Sequence, residues 1–196
     1  MVNLVIASGN ENKVREYREL LKDFPFIITS LKDENIILDV EETGTTFLEN
    51  SLIKARYIAS KVHKLVIADD SGLCVHALNN FPGIYSARFM EGKSYIEKNQ
   101  AIVEMLKEHQ DKSAHFTCSI FLIDEYGEHC FEDICEGTIV DEKEDKFGFG
   151  YDPIFLPKGQ NKTFGALEEH KKNQISHRGK ATKKLIEYLN KIYKKS

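Results

Sequence analysis

The sequence predicts an α/β protein with a mixed, twisted β-sheet, and three observations predict it. Short apolar runs of strand length interleave with segments of helical periodicity along the 196 residues. One long hairpin pattern, "AHFTCSIFLID" then "EYGE" then "HCFEDICEGTIV", breaks that alternation, so the sheet is not purely parallel. Hydrophobic residues make up 41% of the chain, enough for the core of a single domain spanning residues 1–196, with room for two lobes around one cleft.

The elements follow in order. "VNLVIA", residues 2–7, reads as a strand, and "NENKVREYRELLKDF" as a helix with Val14, Tyr17, Leu20, Leu21 and Phe24 on one face. Residues 26–29 and 36–39 read as short strands, with "EETGTT" as a loop. A helix from about Phe47 to His63 opens on the capping-box spacing of Thr46 and Glu49. "LVIADDSGLCV" begins as a buried strand that ends at Asp69 and Asp70. "NNFPGIYSARF" is a turn leading to a short strand, and Ser94 with Glu97 caps a helix running to about His109. The hairpin comes next. "EDKFGFGYDPIF" is a glycine-aromatic loop entering a short strand, and a last helix runs from about His177 to Tyr193, ahead of a frayed "KKS" tail.

The net charge of −4 argues against a general nucleic-acid or membrane binder. The N-terminus has no basic region followed by a long apolar run, so neither a signal peptide nor a membrane span is expected. Cys74, Cys118, Cys130 and Cys135 lack zinc or redox spacing and read as reduced thiols of a cytoplasmic protein.

Two adjacent acids at the end of a buried strand require a partner, because like charges repel and burial of either is costly. Strand ends in α/β sheets are where ligands sit. Asp69 and Asp70, joined by Glu42 from the preceding loop, form a candidate set for one hard divalent cation, against an ordinary Asp-Ser-Gly turn. "SGNENK", Ser8 to Lys13, places a helix start directly after a strand, which favours an anion. The competing reading is a plain N-cap with a surface lysine. Asn50 and Lys54 share one helix face. In "FGFGYDPIF", Phe149 or Tyr151 is placed to stack on a base and Asp152 to accept a hydrogen bond. Ser176 reads as an N-cap, and His177 and Arg178 put cations where the helix dipole disfavours them, so they are read as donors to a partner. A phosphate cradle, a lysine, acids for a metal, an aromatic shelf and a donor pair fit a nucleoside triphosphate.

The segments "SGNENK", "EETGTTFLENSLIKA", "ADDSGL", "FPGIYSARF", "FGFGYDPIF" and "ISHRGKA" together resemble the inosine triphosphate pyrophosphatase family, the Ham1-like nucleoside triphosphate pyrophosphatases, nearly end to end. Ser8 stands where many relatives carry threonine, and the tip of "DEKEDKFGFGYD" is more charged than usual. The resemblance implies an elongated mixed sheet with two lobes around a central cleft, usually in a homodimer. It implies Mg²⁺-dependent hydrolysis of deaminated purine nucleotides (ITP, dITP, XTP) to the monophosphate and pyrophosphate. By motif, Ser8, Gly9, Asn10, Glu11, Asn12 and Lys13 bind phosphates. Glu42 and Asp70 hold the metal, Asp70 is also the proton acceptor, and Lys54 lies near the phosphates. Ser71 touches substrate, and Phe149, Gly150, Tyr151, Asp152, Lys172, His177 and Arg178 hold the nucleoside. Two rivals are a Maf-like pyrophosphatase for other nucleotides and a catalytically silent nucleotide sensor. "SHR" and "FGFGYDP" speak against the first, and intact Glu42, Asp70 and Lys54 against the second.

Overall fold

The computed structural model describes residues 2–141 and 146–193. The charged loop tip and the "KKS" tail fall at 142–145 and 194–196, outside the described residues. Strands β1 (Val2–Ile6), β2 (Phe26–Ser30), β3 (Leu65–Val75), β4 (Phe81–Pro82), β5 (Ser113–Asp124), β6 (Gly127–Ile139) and β7 (Phe155–Pro157) form one sheet. Its order is β2-β1-β3-β5-β6-β7, with β4 on β3. The sheet is mixed: β1 runs parallel to β2 and β3, whereas β4 is antiparallel to β3 and β7 to β6. In register, Leu4 lies opposite both Ile28 and Leu65. Helices α1 (Glu11–Leu20), α2 (Phe47–Ala59), α3 (Tyr95–Met105), α4 (Glu169–Ile175) and α5 (His177–Tyr193) complete the elements.

The chain divides into two compact units. The first holds residues up to Asp70, Cys118–Asp133 and Arg178 onward. One of its apolar clusters joins Leu4 and Ile6 of β1 to Val14 and Tyr17 of α1 and to Ala181, Leu185 and Leu189 of α5. Another joins Val5 and Ala7 to Ala55 and Ile58 of α2. Alternate residues of β1 thus feed opposite faces, as a strand buried on both sides requires. The second unit, Ser71–Thr117 and Ile134–His177, packs Ile102 and Leu106 with Phe116, Phe155 and Phe164.

Both expected capping boxes form. The Thr46 hydroxyl accepts from Glu49 N at 3.1 Å and the Ser94 hydroxyl from Glu97 N at 3.3 Å, with each glutamate answering the cap backbone. α5 has the expected limits, while α1, α2 and α3 stop earlier than expected, at Leu20, Ala59 and Met105.

Three expectations are corrected, and one helix was not foreseen. The segment "NNFPGIYSARF" does not lead into a strand: its short strand is β4, Phe81–Pro82, at its start, and a 3-10 turn follows at Gly83–Tyr85. Residues 36–39 form no strand. Ile36 and Leu38 pack against the α2 side of the core without a ladder. α4, with no side-chain cap and a charged sequence, was not foreseen. β3 does not end at Asp69–Asp70 but continues through Ser71 and Gly72 to Val75.

Candidate active site

The continuation of β3 decides what the two acids do. Successive side chains on a strand point to opposite faces, so Asp69 and Asp70 cannot share one ion. Asp69, 2% exposed, accepts from Lys13 Nζ at 2.7 Å, Arg178 Nε at 2.7 Å and the Tyr17 hydroxyl at 3.3 Å. Arg178 also donates through Nη1 to Glu16 at 2.5 Å, and both side chains are buried. Burial would raise the Asp69 pKa, but the Lys13 and Arg178 cations outweigh it and hold the carboxyl well below the usual carboxylate range. The same burial and the Asp69 charge push the Tyr17 phenol and Cys118 thiol up. The three-acid metal set is therefore corrected: Asp69 is an internal anchor with its oxygens committed to cations and a phenol.

Asp70 faces α2. Its Oδ1 accepts from Lys54 Nζ at 3.1 Å and its Oδ2 from Asn50 Nδ2 at 3.3 Å. The same Lys54 ammonium lies 3.2 Å from Glu42 Oε1. Burial raises the Asp70 pKa and neighbouring Glu42 adds to this, against the pull of Lys54 and Lys13. Burial disfavours the Lys54 ammonium, yet Asp70 and Glu42 keep its pKa raised. Two carboxylates meeting on one cation are the donor set a hard divalent ion takes, one or two carboxylates with the remaining positions for water and phosphate. Glu42 and Asp70 fit such an ion on that convergence. Among the described residues no group of three or more His, Cys, Asp or Glu side chains gathers to enclose a metal.

The "SGNENK" segment turns from β1 into α1 through Asn10, whose side chain accepts from Asn12 N at 3.0 Å as the N-cap. The Ser8 hydroxyl accepts from Asn10 N at 3.1 Å, and a side chain at Gly9 would meet nothing within 4 Å. Glu11 opens the helix, and Lys13, expected at the surface on the plain reading, is bound to Asp69. The loop carries the amides and partial charge of a helix start.

In the second unit, Asp152 organises the glycine-aromatic loop. Its Oδ2 accepts from Phe149 N at 2.8 Å and Lys172 Nζ at 2.7 Å. The Lys172 ammonium lies 4.4 Å from the centre of the Phe149 ring. A Cβ at Gly148 would stand 2.6 Å from Asp152 Cβ, so only glycine permits this closure, and Gly150 has φ +67°, which favours glycine again. Of the two aromatic candidates, Phe149 is half-buried, whereas Tyr151 is buried in the core and donates its hydroxyl to Ser86 O at 2.7 Å. His177 stacks on Phe116 at 4.6 Å between ring centres and is also buried. Ser71, half-buried, is the first residue of this unit. Sequence reasoning missed Glu16 and Tyr17 as parts of the Asp69 cluster. Tyr17 was legible only as an apolar stripe position.

On this mixed α/β sheet, the carboxylate pair Glu42 and Asp70 gathered on the buried Lys54 ammonium is the candidate functional site. The Ham1 family profile matches residues 4–188, and the chain belongs to that family. It is 42% identical over 195 residues to a dITP/XTP pyrophosphatase of Caldanaerobacter subterraneus, covering 97% of this chain and 98% of that one. It is 44% identical over 186 residues to the enzyme of that name from Treponema denticola, covering 92% and 94%. The Ham1 protein structure from Coxiella burnetii aligns with TM-score 0.88 at 38% identity, covering 97% of this chain and all of that one.

Proposed function

We propose that this protein is a nucleoside triphosphate pyrophosphatase that hydrolyses deaminated purine nucleotides, ITP, dITP and XTP, to the monophosphate and pyrophosphate. The observation that carries the reading is the meeting of Glu42 and Asp70 on the Lys54 ammonium, in a chain of the Ham1 family. Its relatives bear the names of dITP/XTP pyrophosphatases. Glu42 and Asp70 would hold Mg²⁺, whose contribution is Lewis-acid neutralisation of phosphate charge.

The protein's own groups do the rest. Asp70 takes the proton of the attacking water, a role suited to a carboxylate whose burial raises its basicity. Lys54 and Lys13 stabilise negative charge on the leaving pyrophosphate. Ser8, Gly9, Asn10, Glu11 and Asn12 receive phosphate oxygens at the start of α1. In the second unit Phe149 and Gly150 offer a surface to the base, Tyr151 supports them from within, and Asp152 and Lys172 orient polar edges. Ser71 contacts substrate from β3. Of the pair read as donors to the 6-oxo group, His177 or Arg178, His177 is the one left to donate. Arg178, next in sequence to His177, contributes by holding Asp69 and Glu16. Adenine would set its 6-amino donor against this donor. An unpaired buried polar group costs about 1–3 kcal/mol, or roughly one to two decades in rate.

A cytoplasmic setting is part of the proposal. It is supported by the free cysteines among the described residues, and none of the described helices is long and apolar enough to cross a membrane. The homodimer that the resemblance implies is proposed with it.

Pyrophosphate release from ITP, XTP, dITP, GTP, ATP and dTTP, with Mg²⁺ and with EDTA, tests the reading. Strong release from ITP, dITP and XTP, about 10-fold or more above ATP and abolished by EDTA, is the expected result. Equal rates across the panel would reject the base-edge argument. ITP binding without turnover would make the protein a sensor.

A further inference from the structure

The side chain that ties the two carboxylates together is neither of them. Asn50 lies in the first turn of α2 and is fully buried. Its Oδ1 accepts from Gly44 N at 2.9 Å, and its Nδ2 donates to Asp70 Oδ2 at 3.3 Å. Gly44 is two residues beyond Glu42, on the irregular segment that brings Glu42 in. One amide therefore grips both the segment carrying Glu42 and the strand carrying Asp70.

The chemistry of the amide fixes its orientation. The carboxylate needs a donor and the backbone N–H needs an acceptor, and only one of the two amide orientations supplies both. One helical turn on, Lys54 takes the other Asp70 oxygen and Glu42 itself. Residues four apart share a helix face, so α2 addresses both oxygens of Asp70 from one rigid element. The close approach is built into the backbone as well. A Cβ on Gly44 would stand 2.6 Å from Asn50 Oδ1, 2.7 Å from Glu49 Cβ and 2.9 Å from Asn50 N. Glycine at 44 and asparagine at 50 are thus two halves of one clasp.

We infer that Asn50 is a positioning residue of the active site, which with Gly44 sets the spacing and orientation of Glu42 and Asp70 for a divalent cation. The inference rests on the proposed role of those two carboxylates as metal ligands. A cation-binding pair held by flexible segments would pay to order itself on each binding event. The clasp removes that cost in advance.

The test uses Asn50→Leu, which keeps the bulk of the side chain and removes both hydrogen bonds, and Gly44→Ala, which drives a methyl into the amide from the other side. Binding of Mn²⁺ and of Mg²⁺ to the nucleotide-free protein is measured by calorimetry, and kcat and KM for ITP at saturating Mg²⁺. Circular dichroism and thermal melts confirm that each variant is folded. The expected result is a 10–100-fold loss of divalent affinity in both variants, the range for residues that orient metal ligands. kcat should fall with it, and the KM for ITP should stay within about twofold of the parent value. A folded variant of either kind with parental divalent affinity and parental kcat would overturn the role of the clasp while leaving the metal pair standing. If the parent protein binds neither ion and its turnover of ITP is unchanged by EDTA, the metal assignment of Glu42 and Asp70 falls, and the clasp with it.

Discussion

Replacing Asp70 with asparagine is expected to lower kcat for ITP by about 10²–10⁴-fold, the span attributed to a positioned general base, with the protein still folded. The size of the loss follows from the chemistry: the amide has the carboxylate's shape but takes no proton and brings no charge to a cation. The survival of the fold follows from electrostatics. Burial is the largest influence on Asp70 and raises its pKa, so at neutral pH its ionised form is held at a cost. Asparagine relieves that cost, and Lys54 keeps its contact with Glu42 at 3.2 Å. Steady-state kinetics and a thermal melt on the same preparation check both halves. Turnover near the parental rate would remove Asp70 from the base role. Loss of the folded state would show that its charge is structural.

The contrast between Asp70 and its neighbour also explains what could be read from the sequence alone. The capping boxes at Thr46 and Ser94 were legible because every partner lies within three residues. The limits of α5 were legible because its apolar stripe repeats without interruption. The course of β3 was not. Two adjacent acids read as a strand end, since burying them without partners is prohibitive. The partners of Asp69 come from 56 and 109 residues away, and no local pattern announces them. The site divides in the same way. Lys54 and Asn50 were placed on one face by their spacing, and the structure adds that this face meets Asp70. That Tyr151 is a core residue hydrogen-bonded to Ser86 while Phe149 is half-buried could not be decided from a motif in which glycines and aromatics alternate.

Arg178→Ala is expected to cost about 3–5 kcal/mol of stability, because it breaks the ion pairs of two buried carboxylates at once, leaving Asp69 with Lys13 as its cation and removing the guanidinium from Glu16, and breaking a buried pair from one side is penalised by that amount. For a chain of this size that is a fall of roughly 6–20 °C in Tm. An Arg178→Ala variant therefore does not isolate base recognition: a changed ITP to ATP ratio in it would mix lost contacts with a loosened first unit. Asp69→Asn attacks the same cluster from the other side and adds a pH signature. The folded-state pKa of Asp69 is depressed below its ordinary value of 3.8. Its contribution is then fully present above that value and is lost as the pH falls below it toward the folded-state pKa. The stability gap between the parent protein and Asp69→Asn should stay constant from about pH 5 to pH 8 and narrow below about pH 4. Urea unfolding across that range measures it. A gap already closing near pH 6 would mean that Asp69 is not held ionised by Lys13 and Arg178. A gap near zero at pH 7 would mean that these buried ion pairs do not stabilise the fold, and the two neighbouring aspartates would then differ in orientation but not in purpose.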